Sequence, residues 1–419
     1  MMESAVAIPF GKKVDGAFVP PPSKSHAIRA LLIASLARGG SEVRGCGTSD
    51  DVGRMADIVR RWRDISKEGD SFVIRPVERI DIPEGVYDCG GSATAARFLF
   101  ALFSMFEGER VIDGDGSLRK RPVGAGVEAA RSLGAEIRFP RNEGCFPVSV
   151  RGGRWSGGRV RISDSSSSHS VSGLLIAAPL SKKDLVVEAV EPVSYPYVRM
   201  TAEVMKEFGV AAATEGRMII VPRGEYLGTK LEIEKDYSAA AFFLCASAVT
   251  DGRIAITGLR EDSIQGDAGI AGMLEKIGAD VSWKDSSLVC RGKPSKPLEV
   301  DLRDIPDLFP PLAALALKCP GRSVFRGTAR LEAKESGRGS AVVEAVNAIG
   351  GRAQMERDAV IIEPVERYEG AVLDPRGDHR LAMAFAVMGL LAEETTVLDP
   401  GCVKKSHPSF WPDFFNILR

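Results

Sequence analysis

Hydrophobic and polar positions along the chain fall into two recurring patterns. The first is a run apolar on nearly every side, as in Leu174-Leu-Ile-Ala-Ala, Leu312-Ala-Ala-Leu-Ala-Leu and Ala382-Met-Ala-Phe-Ala-Val-Met-Gly-Leu-Leu. A helix without a charged face must be covered all round, so these runs predict helices at domain centres. Each is followed by a glycine- or charge-marked stop and a short β-rich stretch. Six copies stand at Ala30–Arg44, Phe98–Asp113, Gly173–Val190, Phe242–Gly258, Leu312–Gly327 and Ala382–Asp399, roughly 70 residues apart, which marks an internal repeat.

The second pattern is an amphipathic helix between those copies. It ends in Leu133-Gly-Ala, Phe208-Gly-Val, Ile277-Gly-Ala or Ile349-Gly-Gly, where glycine can take the left-handed position after a helix. Alternating stretches such as Glu136-Ile-Arg-Phe and Asp280-Val-Ser-Trp follow and predict strands. Each unit therefore reads as βαβαββ, and six units in two groups of three make two similar α/β domains. With apolar helices inside and sheets outside, each domain is expected to be an inside-out α/β barrel. The alternative is a conventional layered fold with helices on both faces of a sheet.

Composition narrows this only a little. The 419 residues exceed one ordinary core and suit two domains, and 44% hydrophobic with 26% charged residues describes a globular chain. A formal charge of −1 argues against nucleic acid as the main partner. No apolar run approaches 18 residues and the N-terminus has no charged segment before a long apolar one, so no membrane is expected and the chain reads as cytoplasmic. The seven cysteines are scattered, form no Cys-x-x-Cys pair and indicate neither a disulfide framework nor a metal site.

The starts of the apolar helices carry the candidate chemistry. Pro21-Pro-Ser-Lys-Ser-His-Ala-Ile-Arg29 reads as a loop, capped by Ser23 or Ser25, that delivers Lys24, Ser25 and Arg29 to a helix N-terminus, a favourable place for an anion. Comparable starts are Gly90-Gly-Ser-Ala-Thr, Ser165-Ser-Ser-Ser-His169, Asp236-Tyr-Ser, Ile305-Pro-Asp307 and Asp374-Pro-Arg-Gly-Asp378-His379-Arg380. Capping selects small and hydroxylic residues there, but not arginines at 29, 97 and 380, since a helix N-terminus disfavours positive charge. A bound polyanion accounts for them. Arg119-Lys-Arg-Pro122 gathers three cations, Lys334-Glu335-Ser-Gly-Arg338 mixes cations with a carboxylate, and Cys402-Val-Lys-Lys405-Ser-His407 reads as a polar loop. Of the histidines, 26, 169 and 407 read as surface or capping residues, whereas Asp378 and Arg380 could set the tautomer of His379.

Pro22-Ser-Lys-Ser…Arg29-Ala-Leu-Leu, Asp113-Gly-Asp-Gly-Ser-Leu-Arg-Lys-Arg-Pro, Ser263-Ile-Gln-Gly-Asp, Ile305-Pro-Asp, Lys334-Glu-Ser-Gly-Arg and Asp378-His-Arg-Leu-Ala-Met together resemble the EPSP synthase family over essentially the whole chain. The resemblance implies two inside-out domains, 17–232 and 1–16 with 233–419, and an active site in the interdomain cleft that closes on binding. It implies transfer of the enolpyruvyl group of phosphoenolpyruvate to the 5-hydroxyl of shikimate 3-phosphate, without cofactor or metal, by a monomer. In the matching positions, Lys24, Asp307 and Glu335 are the expected catalytic residues. Lys24, Ser25, Arg29, Ser167, Ser168, Ser194, Tyr197, Asp307 and Lys334 are expected around shikimate 3-phosphate. Lys24, Ala93, Arg97, Arg121, His169, Arg338, Asp378, His379, Arg380 and Lys405 are expected around phosphoenolpyruvate. The sister family that acts on UDP-N-acetylglucosamine is the nearest rival, although it has Lys-Asn where this chain has Lys24-Ser25 and usually a reactive cysteine near the position of Arg121. A protein that binds phosphorylated ligands without turnover is the rival from another class.

Three residues, at two places, depart from the family pattern. His169 replaces the usual glutamine, and Ala93 replaces a glycine beside the phosphoenolpyruvate phosphate, with Gly91 in place of an asparagine. The extra methyl should crowd the longer inhibitor glyphosate more than the substrate. Weak inhibition by glyphosate is expected, with an inhibition constant well above the KM for phosphoenolpyruvate that drops in Ala93→Gly. Tight inhibition that Ala93→Gly leaves unchanged would contradict this.

Overall fold

Six helices carry the apolar runs. In a computed structural model, which describes residues 4–162, 168–190 and 194–419, they span Lys24–Leu36, Ala93–Phe103, Ser168–Ala177, Tyr237–Val249, Phe309–Ala316 and His379–Gly389. Every residue of the last three is buried. In the first three the exceptions are Lys24 and Ser25, Thr94, and His169, all in the first turn. The helices are thus wrapped along their length, as the absence of a charged face requires, and the first three are open only at their N-terminal ends.

The chain divides into two compact units, Pro22–Glu234 and Met1–Pro21 with Lys235–Arg419, and the first three helices lie in the former. Both are mixed α/β with open sheets. The sheet Gly85–Asp88, Gly108–Asp113, Val148–Gly152, Glu136–Arg138 shows the common plan. Its first two strands are parallel (Val86 opposite Val111), as a helical crossover demands, and the core helix Ala93–Phe103 is that crossover. The last two add an antiparallel pair, with Ile112 opposite Val148 and Ile137 opposite Val150. Five sheets of the described residues follow this order, and a sixth, three-stranded one joins Val372–Leu373, Thr396–Leu398 and Ala5–Ala7.

Alternation decides which sheet face is covered. In Leu185–Ala189, Leu185, Val187 and Ala189 are buried while Val186 and Glu188 are partly exposed. The amphipathic helices end where the glycines predict: Gly209 (φ 86°) follows Tyr195–Glu207 and Gly278 (φ 97°) follows Ile270–Lys276. Two sheets are completed from far along the chain. Asp15–Phe18 pairs in parallel with Arg253–Thr257, and Lys230–Glu232 with Ser41–Arg44. Among the described residues no helix is long and apolar enough to cross a membrane.

Candidate active site

In the Lys235–Arg419 unit the site is assembled from helix starts. Asp307 lies in the turn Pro306–Leu308 that leads into Phe309–Ala316. Lys334 and Glu335 stand between the turn Ala329–Ala333 and the helix Arg338–Ala348, which the chain enters through Gly337 in the left-handed region (φ 61°). Asp378 caps His379–Gly389 by accepting from the Arg380 amide at 2.9 Å, and Lys405 ends the turn Pro400–Lys405.

Arg338 joins these parts. The residue is 1% exposed, and its guanidinium donates to Asp307 Oδ1 at 2.8 Å, to Asp378 Oδ2 at 3.0 Å and to Glu335 Oε2 at 3.4 Å. The outer cations complete the cluster: Arg380 reaches Asp307 Oδ2 at 3.1 Å, Lys334 lies 3.7 Å from Asp307 Oδ1, and Lys405 Nζ lies 2.9 Å from Glu335 Oε1. Ser336 adds a hydroxyl to Asp378 Oδ2 at 3.0 Å. Four cations therefore face three carboxylates.

Electrostatics follow from that geometry. Burial alone would raise the Asp307 carboxyl, but Arg380, Lys334 and Arg338 outweigh it and hold the group well below the usual carboxylate range. Burial would lower Arg338, yet Asp378, Asp307 and Glu335 push it above the ordinary arginine value. Lys334 goes the other way: burial outweighs Asp307 and brings it down to about 8. Asp267, 2% exposed and accepting from the Ser238 hydroxyl, is pushed up to about 7 by burial and by Asp307.

The Pro22–Glu234 unit holds a second set of cations. Ser23 is the residue before the helix and Lys24 opens it, with Nζ 2.9 Å from Asp51 Oδ2. Arg29 is fully buried; it donates to the Thr201 hydroxyl at 2.8 Å and to the carbonyls of Ser25 at 2.8 Å and Tyr197 at 3.3 Å, and its carbon lies 5.0 Å above the Phe98 ring. Burial among these neutral acceptors lowers it to about 10. Arg97 donates to the carbonyls of Pro122 at 2.8 Å and Val123 at 3.2 Å, which ties the turn carrying the buried Arg121 to Ala93–Phe103. His169 Nε2 meets the Thr94 hydroxyl at 3.0 Å, linking the first turns of two core helices. Ala93 opens its helix at 5% exposure, Ser168 opens the next, and Ser194 precedes Tyr195–Glu207 in the left-handed region (φ 53°). Ser167 lies outside the described residues.

Three expectations change. Ser25 and Arg29 lie inside the helix Lys24–Leu36, and Arg97 is the fifth residue of Ala93–Phe103, so of the three arginines Arg380 alone lies in a first turn, directly after the capping Asp378. The three arginines are not equivalent, and the two in the Pro22–Glu234 unit are spent on hydroxyl and carbonyl acceptors of their own fold. Asp378 does not set the His379 tautomer, because Nδ1 is 3.9 Å from its Oδ1 and the carboxylate serves Arg338, Ser336 and the Arg380 amide. Nor are His26 and His407 surface residues: they are 3% and 0% exposed, and His26 Nδ1 accepts from the Glu234 amide at 3.3 Å. Sequence reading missed Asp51, Thr94, Thr201 and Ser336 as partners. Asp51 is the second residue of the helix Asp50–Val59, where an acidic pair is ordinary dipole compensation, so nothing in the sequence singled it out.

Comparison with known proteins identifies relatives of this arrangement. The family model described as EPSP synthase (3-phosphoshikimate 1-carboxyvinyltransferase) matches residues 9–414. A Vibrio campbellii protein named 3-phosphoshikimate 1-carboxyvinyltransferase is 32% identical over 434 residues, covering 100% of this chain and 99% of its own. One of the same name from Methanospirillum hungatei is 32% identical over 417 residues, with 95% of each covered. The structure of EPSP synthase from Acinetobacter baumannii superposes with a TM-score of 0.81 at 24% identity, over 98% of this chain and 97% of that one, which shows a shared fold. With motifs, fold and full-length similarity in agreement, this chain belongs to the EPSP synthase family.

Proposed function

We propose that this chain transfers the enolpyruvyl group of phosphoenolpyruvate to the 5-hydroxyl of shikimate 3-phosphate and releases phosphate. The observation that carries the reading is the joint hold of Arg338 on Asp307 and Glu335. The reaction needs a base for the attacking hydroxyl and a group that gives a proton to the methylene carbon and later takes one back. Asp307 takes the hydroxyl proton while the oxygen bonds to the central carbon of the enol. Glu335 protonates the methylene carbon, giving a tetrahedral intermediate. The carbon–oxygen bond to phosphate then breaks, the departing phosphate taking up the proton that Asp307 accepted, and Glu335 removes a methyl proton to restore the double bond.

The cation cluster supports this chemistry. Asp307 is ionised, the state that accepts a proton, although its three cations make it a weak base. Anionic substrates compete for those cations, and its basicity rises when they bind. Lys24, Arg97, Arg121, Arg338, Arg380 and Lys405 hold the phosphate and carboxylate of phosphoenolpyruvate, with Ala93, His169, Asp378 and His379 beside them. Ser25, Arg29, Ser167, Ser168, Ser194, Tyr197 and Lys334 hold shikimate 3-phosphate. Lys24 stabilises the leaving phosphate. Each unit is an inside-out α/β barrel in this reading, which the buried helices and half-exposed sheets support. In this reading one chain carries every residue named, and the enzyme is taken as a monomer.

Phosphate release from phosphoenolpyruvate, offered in parallel with shikimate 3-phosphate and with UDP-N-acetylglucosamine, tests the assignment. Release with the shikimate ester alone, abolished in Asp307→Ala, is expected; release only with the nucleotide sugar, or with neither, would overturn it. The pH dependence tests Lys334. Its amine is charged below about 8 and neutral above, so affinity for an anion weakens as pH rises through that value. The kcat/KM for shikimate 3-phosphate should therefore fall above about pH 8 in the wild type and stay level in Lys334→Arg. A matching fall in both would remove Lys334 from the binding role.

A further inference from the structure

His407 is a fully buried histidine that the reaction does not use. Its ring sits among Phe18, Phe243 and Phe410, with centroids 5.6, 5.9 and 5.6 Å away, and its Nδ1 has no hydrogen-bond partner. A phenylalanine would fill the same box without leaving a buried ring nitrogen unpaired, which is unfavourable. What phenylalanine cannot supply is the other nitrogen: His407 Nε2 lies 2.9 Å from Asp413 Oδ2. A carboxylate only accepts, so Nε2 is the donor. The Ser409 hydroxyl donates to the same oxygen at 2.6 Å, and although burial would raise the Asp413 carboxyl, these donors hold it below its ordinary value.

This bond ties the residues just after the turn Pro400–Lys405 to the helix Phe410–Asn416, beside the Phe410 amide, which donates to the His407 carbonyl at 3.1 Å. At the opposite end of the turn, Trp411 Nε1 donates to the Pro400 carbonyl at 2.9 Å. The amides of Ser406 and His407 both end on the Val403 carbonyl, at 3.1 and 2.8 Å, so the ring's position is transmitted to the last residues of the turn. Lys405 is there, paired with Glu335. We propose that His407 is a positioning residue: held by Asp413 and three aromatic rings, it fixes the backbone that presents Lys405 to Glu335. The kinetic consequence rests on the function proposed above, because there Lys405 holds phosphoenolpyruvate.

Two readouts test this on the full chain. The first needs no substrate: labelling of Lys405 by an amine-reactive reagent, followed by mass spectrometry with Lys404 as internal reference. His407→Phe should raise Lys405 labelling severalfold relative to Lys404; an unchanged ratio overturns the proposal. The second is kinetic. His407→Phe and Asp413→Ala should each raise KM for phosphoenolpyruvate about tenfold and leave KM for shikimate 3-phosphate unchanged, whereas Asp413→Asn, which keeps an acceptor, should restore the wild-type value. In a Lys405→Met background His407→Phe should add nothing, since residues acting through one another are not additive. Equal movement of both KM values, or a full additional tenfold in that background, would overturn it. Asp413 is partly exposed, so its variants report even where His407→Phe does not fold. Raised labelling in a protein whose wild type releases no phosphate would uphold the positioning role and sink the proposed reaction instead.

Discussion

A single buried guanidinium bonded to three carboxylates is the constraint on which the Lys235–Arg419 unit depends. Asp307, Glu335 and Asp378 come from three separate helix starts, and Arg338 is the group common to all of them. Taking such charges out of water is unfavourable, and their mutual attraction makes up for it only when the geometry is good and the remaining donors and acceptors are used. The geometry meets that condition: Ser336 and the Arg380 amide take up the free capacity of Asp378, and Lys405 and Arg380 that of Glu335 and Asp307. Arginine suits the position because its planar fork serves several acceptors at fixed angles, which an ammonium cannot do. In exchange the unit holds its carboxylates in place before any ligand arrives, so little reorganisation is left for the reaction itself.

The Pro22–Glu234 unit handles charge differently. Arg29 is bonded to the Thr201 hydroxyl and to backbone carbonyls, and Arg97 donates to the carbonyls of Pro122 and Val123, so both are held by neutral oxygens. Lys24 is paired closely with a carboxylate, Asp51, which keeps its amine directed while both remain nearly buried. The only incompletely buried residues of the three core helices are Lys24, Ser25, Thr94 and His169, all polar and all at N-terminal ends. Wrapping three apolar helices leaves those ends as the accessible part, and their dipoles favour negative charge there. Fold and chemistry are therefore linked: the covering that an apolar helix requires also decides where an anion can reach it.

Much of this was legible in the chain. Helices such as Phe309–Ala316 and His379–Gly389 have no polar face, and that property survives any error in their boundaries. The glycines after the amphipathic helices marked the ends correctly for the same local reason. Which charges meet was harder to read. Asp51 and Lys24 are separated by a strand, and Arg338 finds Asp378 forty residues away, a contact that only the tertiary fold creates. The arginines misled because a residue's place within a helix matters to the dipole argument, and the start of Lys24–Leu36 could be set only by seeing that Ser23, not Ser25, precedes it. His407 was hidden for another reason: a polar stretch ending in proline carries no periodicity, so nothing announced that its ring turns into an aromatic box.

The claim that Arg338 aligns both proton-transfer groups is tested most directly by the single-turnover rate of Arg338→Lys with phosphoenolpyruvate and shikimate 3-phosphate both saturating. Saturation removes any loss of affinity, leaving the chemical step. The account predicts a rate lower by about 10²–10⁴-fold, the range that a misplaced acid or base costs. A wild-type rate at saturation, with only KM raised, would reduce Arg338 to a substrate ligand and contradict its role in holding Asp307 and Glu335.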